Sequence, residues 1–127
     1  MIIRDVIRDR EPYSLRTSAS VLEAAEFMAQ RKVGAVCVLD EDGHLIGVFS
    51  ERDVVTRVVV LRRDPAALPL GEVTSQLRAV INCDDTPHQA LELMERRRSQ
   101  ISALPVVDET GRALGLLRIH DIYLGTR

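Results

Sequence analysis

Apolar positions along the chain change their period in a fixed succession. Val21, Ala24, Ala25 and Met28 fall on one face of a helix. Ser20, followed three residues later by Glu23, supplies the hydroxyl and acid of a capping box at its start. The spacing then closes into an unbroken apolar run from Ala35 to Leu39, which predicts a buried strand. A polar turn around Gly43, a residue free to take positive φ, leads into His44–Phe49 as the returning strand of a hairpin. Ser50, Glu51, Arg52 and Asp53 then read as a helix start, followed by the apolar run from Val54 to Leu61. Valine favours strands locally. The start signal and Arg57, which breaks strict alternation, predict a helix nonetheless.

The same succession is written a second time. Ala24 and Met28 match Ala90 and Met94; Asp40, Gly43, Gly47 and Asp53 match Asp108, Gly111, Gly115 and Asp121. The second copy gains its extra length in the Arg96–Gln100 stretch. Thr86 and Gln89 repeat the capping box, with Pro87 at the first helical position, where its missing N–H costs nothing. Even the leaders agree: Arg4-Asp-Val-Ile resembles Gly71-Glu-Val-Thr. The predicted organisation is a first repeat over 1–66 (core 13–61) and a second over 67–127 (core 79–124). Each is β-α-β-β-α, an α/β (α+β) fold forming one module.

Composition narrows the function classes. A chain of 127 residues fits one compact domain or two small repeats sharing a core. It is 46% hydrophobic and 28% charged, as soluble globular proteins are, and with 3% aromatics its core must be aliphatic. Net charge −2 and a pI near 5.9 argue against a nucleic-acid partner. Cys37, in an apolar run, and Cys83 have no metal-like spacing and read as reduced thiols. The N-terminus is charged from its fourth residue, unlike a secretory signal, and no apolar stretch approaches the roughly 20 residues that span a bilayer. The expectation is a cytoplasmic protein with no membrane contact.

The helix, the hairpin with Asp-x-x-Gly, and Gly47-Val-Phe-Ser-Glu-Arg-Asp53, all in tandem, resemble a pair of cystathionine-beta-synthase (CBS) domains. The resemblance covers almost the whole chain and implies two repeats related by a pseudo-twofold. It further implies a homodimer and clefts between repeats that take AMP, ADP, ATP or S-adenosylmethionine. It assigns ligand contacts to Ser50 and Asp53. Pocket one would comprise Val48, Phe49, Ser50, Arg52 and Asp53, facing Ile81, Asn82, Ser102 and Ala103. Pocket two would comprise Leu116, Arg118 and Asp121, facing Leu15, Thr17, Gly34 and Ala35.

Two readings of Ser50-x-x-Asp53 stand side by side. As a cap, Ser50 accepts the Asp53 N–H and the acid suits the helix dipole. As a binding site, the helix start and Arg52 suit a phosphate, while the carboxylate accepts ribose hydroxyls. The second copy loses the hydroxyl to Arg118 yet keeps Asp121. A cap without its hydroxyl would have little use for the acid, which favours the ligand reading and predicts a weaker second pocket. His44, His88 and His120 have no partners at metal-ligand spacing, so no metal is expected. Arg62–Arg63 and Arg96–Arg98 read as solvated helix-end charges. No Ser-His-Asp, Cys-His, paired-carboxylate or Walker arrangement points to an enzyme. The chain therefore reads as a regulatory module sensing an adenosyl ligand, with a ligand-free dimerisation module as the alternative. The surplus apolar surface of the second helix (Val54, Val55, Val58, Val59 and Leu61), joined by Ile122 and Leu124, is the expected dimer face.

Overall fold

The computed structural model describes residues 1–77, 79–96 and 103–125. The elements run α1 (Ile3–Val6), β1 (Ser14–Arg16), α2 (Val21–Arg31), β2 (Ala35–Leu39), β3 (Leu45–Ser50) and α3 (Glu51–Asp53). A π-helical stretch (Val54–Val59) and a 3-10 turn (Leu70–Glu72) lead to β4 (Ser75–Gln76) and β5 (Ile81–Asn82). Then come α4 (Pro87–Arg96), β6 (Ala103–Val107), β7 (Ala113–Arg118) and α5 (Ile119–Gly125). Each repeat body is therefore β-α-β-β-α, in a mixed α/β fold.

The chain packs as two compact units. One is Tyr13–Leu77; the other combines Met1–Pro12 with Arg78–Arg127. In the first, β1 runs parallel to β2, β2 antiparallel to β3, and β4 closes the edge against β3. Its core is aliphatic apart from Phe49, with Val21, Ala24 and Met28 of α2 packed under Val36 and Val38. The second unit repeats β5-β6-β7 with the same pairings. Ala35 stands opposite Ser50 and Ala103 opposite Arg118, and both hairpins shift register at the same place, Val38/Leu39 and Val106/Val107. One difference follows from a single residue. Cys37 donates its N–H to Tyr13 O at 2.9 Å, but its counterpart Pro105 has no N–H to give. The parallel ladder of the second unit starts one residue later, at Val106.

Both hydroxyl caps form, and the second closes into a full capping box. Glu23 N–H donates to Ser20 Oγ at 3.1 Å; Gln89 N–H donates to Thr86 Oγ1 at 3.2 Å and Gln89 Oε1 accepts the Thr86 N–H at 2.8 Å. In the turns, Asp40 Oδ1 accepts the N–H of Asp42 and His44, and Asp108 Oδ1 those of Thr110 and Arg112. Gly43 and Gly111 take φ of 88° and 84°. The matched pairs Asp40/Asp108 and Gly43/Gly111 are thus turn chemistry.

The leaders are interchanged. Ile3 N–H donates to Asp85 O and Arg4 N–H to Cys83 O, at 2.8 and 2.9 Å. In the same pattern Leu70 N–H donates to Ala19 O and Gly71 N–H to Thr17 O, at 2.8 and 3.1 Å. Each leader docks on the body of the other repeat. Ile3 and Ile7 enter the core containing Leu104 and Leu117, while Leu70 and Val73 enter the core containing Phe49. A Cβ on Gly71 would come within 3.1 Å of Thr17 Cβ, so this second leader lies tight on its host. Repeats as written in the sequence and units as packed are different partitions.

The valine-rich run is helical rather than extended, but it is not an α-helix. Val60 N–H donates to Val55 O and Arg63 N–H to Val58 O, at 3.0 and 2.9 Å, which are π-type bonds. β-branched side chains crowd the preceding α turn, and here the turn is wider. Arg62, at φ 56°, ends it.

Candidate functional site

The peptide chain between β3 and α3 fixes the first motif. Ser50 N–H and its hydroxyl both donate to Asp53 Oδ2, at 2.8 and 3.0 Å, and Asp53 N–H donates back to Ser50 Oγ at 3.3 Å. Glu51 N–H donates to Gly34 O at 3.0 Å, which ties the motif to the entry of β2. The cap is real, and it leaves the Asp53 carboxylate 13% exposed with Oδ1 3.4 Å from Arg57 Nε. Arg57 is a neighbour that the sequence reading used only to break an alternation. Its i, i+4 spacing from Asp53 was the available signal. Arg52 is exposed and Val48 half-buried. Phe49 is fully buried in the core, so only its backbone can face a ligand.

The second motif is built differently. Arg118 N–H donates to Asp121 Oδ2 at 2.8 Å, so the acid caps the chain without any hydroxyl. This overturns the argument that a cap lacking its hydroxyl has no use for the acid. Arg118 Nη2 lies 3.5 Å from Asp121 Oδ1, and Arg10 Nη1, from the leader, lies 2.8 Å from Oδ2. The Asp121 side chain is 2% exposed. Burial pushes its carboxyl up. The Arg10 contact, the Arg118 N–H and the two guanidinium charges pull it further down, and the net position is below the ordinary carboxylate range. Arg10 joins from the far end of the chain, and no spacing in the sequence announces it.

The other expected pocket residues divide between the two units. Leu15, Thr17, Gly34 and Ala35 share a unit with Ser50 and Asp53, and Ala35 pairs directly with Ser50. Leu15 packs on the core, and Thr17 holds Gly71 through its carbonyl. Ile81, Asn82, Ala103 and Leu116 share a unit with Arg118 and Asp121, and Ala103 pairs with Arg118. Ile81 and Leu116 are buried. Asn82 accepts the Asp84 N–H at 2.9 Å through Oδ1, in an Asx turn. Ser102 lies outside the described residues, as do Arg97 and Arg98 of the basic run.

The thiols are buried. Burial pushes Cys37 up to about 12, and it also raises Cys83 despite the pull of Arg4, whose Nη2 lies 2.8 Å from its Sγ. His44 has more company than its spacing indicated: Asp40, Asp42 and His44 bring donor atoms within 4.8 Å of one another on an exposed turn. Asp40 Oδ1 is already engaged there by two backbone N–H groups, as described above. Ile122 and Val58 correct the expected dimer face, because each is buried in the core of its own unit, with Val54 packed on the core beside Val58; the side chain of Leu124 lies outside the described residues. Among the described residues no helix is long and apolar enough to cross a membrane.

The CBS domain family model matches residues 3–60 and 70–124. Human 5'-AMP-activated protein kinase subunit gamma-3 is 32% identical over 111 residues, covering 83% of this chain and 22% of that subunit. An uncharacterized protein of Methanopyrus kandleri is 29% identical over 103 residues, covering 81% of this chain and 52% of its own length. The chain thus spans about half of one curated relative and less than a quarter of the other. A solved CBS domain protein of Pyrobaculum aerophilum, complexed with AMP, superposes with a TM-score of 0.83 at 28% identity, covering 98% of this chain and 97% of that one. With both repeats matched and the same fold found in a solved relative, this chain belongs to the CBS-domain family.

Proposed function

We propose that this chain is a non-catalytic regulatory module that binds an adenine nucleotide or related adenosyl ligand and signals through a change of shape or partner affinity. The observation that carries this reading is the Ser50–Asp53 pair. Its carboxylate is oriented by a backbone N–H and a hydroxyl at a strand end, and it stays partly exposed. A ribose diol donates to such a carboxylate, and the exposed Arg52 offers a cation to a phosphate. The AMP held by the Pyrobaculum aerophilum relative supports adenine as the base. Asp121 is the corresponding ribose acceptor of the second repeat, and its two guanidinium partners make it the weaker position. The module acts in the cytoplasm, without nucleic acid or membrane.

The test is a thermal-shift panel of AMP, ADP, ATP, S-adenosylmethionine and NAD. A ligand at 100 times its dissociation constant adds about 2.7 kcal/mol to stability. Most of the shift should be lost in Asp53→Ala, which leaves only the weaker second position. If none of the five moves the transition at millimolar concentration, the sensing reading gives way to a ligand-free dimerisation module. That second reading has its own support in Val55, Val59, Val60 and Leu61, which are all exposed around the π-helical stretch.

A further inference from the structure

We propose that Arg10 is a resident occupant of the second ribose-binding position, so that a ligand can use Asp121 only when the leader withdraws its guanidinium. This rests on the reading of Asp121 as a ribose acceptor. The two aspartates hold the same place in their repeats and differ in what sits on them. Asp53 Oδ2 takes the N–H and hydroxyl of Ser50, two groups of its own motif. Asp121 Oδ2 accepts the Arg118 N–H and is ion-paired at 2.8 Å with Arg10 Nη1, which makes no hydrogen bond of good geometry. A ribose diol presents O–H donors to a carboxylate, and a guanidinium presents N–H donors together with a positive charge. Arg10 therefore occupies, as an ion pair, the carboxylate oxygen that a ligand hydroxyl would use, and brings a charge that a neutral diol cannot match in a site that is 2% exposed.

Arg10 is also tied to the leader. Its N–H donates to Ile7 O at 3.2 Å, and its Nη2 donates to Val6 O at 3.4 Å. Ile7 is buried in the core of the same unit. Taking the guanidinium off Asp121 disturbs the turn that follows α1. Occupancy of the second position and docking of this turn are therefore competing states, and a ligand that favours one disfavours the other. In the match of the two leaders the position of Arg10 is taken by Leu77, which has no charge to place on a carboxylate; the guanidinium beside Asp53, that of Arg57, comes from its own repeat.

Calorimetric titration with AMP separates the outcomes. Asp53→Ala removes the first site. Adding Arg10→Ala to it should raise AMP affinity about tenfold, the gain expected when a competent state near a tenth of the population becomes dominant. Adding Asp121→Ala should abolish that gain. Arg10→Met keeps the aliphatic stem and should give the same gain if Arg10→Ala folds poorly. In Asp53→Ala itself, AMP should speed hydrogen exchange of the Arg10 amide. Affinity unchanged or weakened by both Arg10 variants overturns the proposal, as does an Arg10 amide indifferent to AMP. Wild type that binds AMP with no gain in the double variants sinks this inference alone. Wild type that fails to bind while Arg10→Ala binds sinks the Ser50–Asp53 reading alone. No binding in any variant sinks both.

Discussion

At the scale of the residue, the two aspartates show how one motif serves two purposes. Asp53 is a cap with an exposed edge, whereas Asp121 is a buried anion between two cations. Removing one member of a buried pair leaves charge without compensation, at a cost of about 3–5 kcal/mol. Asp121→Asn should fall at the low end, about 3 kcal/mol, because Arg10 and Arg118 remain partly in water. The pH dependence has a definite sign. The folded carboxyl lies below its unfolded value, so its contribution is present above the ordinary carboxylate range near pH 4 and is lost as pH falls through the lowered folded value. Denaturant titrations at pH 7 and pH 3 check this: the gap between wild type and Asp121→Asn should narrow in acid. A gap that widens in acid, or is absent at pH 7, contradicts it. The Ser-x-x-Asp signature was legible because it is local. Arg10 was not, since charge pairing between the ends of a chain leaves no spacing to count.

At the scale of the element, what could be read was again what local chemistry decides. Both hydroxyl caps, both hairpins and the glycine turns follow from residues within five positions of each other. The second helix was legible as a helix from its start signal, but its π-type turn was not, because β-branched crowding lowers α propensity without naming the alternative. The stretch has two faces. Val58 is 1% exposed in the core, with Val54 packed beside it, while Val59 is 63% exposed. Val58→Ala removes two methyl-sized groups, at about 0.8 kcal/mol each before any cavity is counted, so a loss of about 2 kcal/mol is expected. Val59→Ala, a surface change, should stay within about 0.5 kcal/mol in a monomer. If Val55, Val59, Val60 and Leu61 form a homodimer face, Val59→Asp should lower the mass seen by light scattering while Val58→Ala leaves it alone. A monomeric mass for wild type at micromolar concentration removes this face from the account.

At the scale of the whole molecule, the interchanged leaders are the feature that no comparison of the two copies could reveal. The match of Arg4–Ile7 with Gly71–Thr74 says that the leaders are alike. It does not say which body each one covers, because a docking surface repeated twice fits either leader. The hydrogen bonds decide it, and they make a crossed prediction. Ile3 is fully buried among Cys83, Leu104 and Leu117, and Leu70 is fully buried among Val21, Phe49 and Val73. Truncating either to alanine should cost about 2–5 kcal/mol, and the loss should appear in the opposite repeat. Native-state hydrogen exchange reports such local openings. Ile3→Ala should speed exchange at the Cys83 amide, which donates to Val107 O, more than at the Cys37 amide, which donates to Tyr13 O. Leu70→Ala should reverse the order. If Ile3→Ala loosens the Cys37 amide and spares Cys83, each leader serves its own repeat and the interchange is wrong.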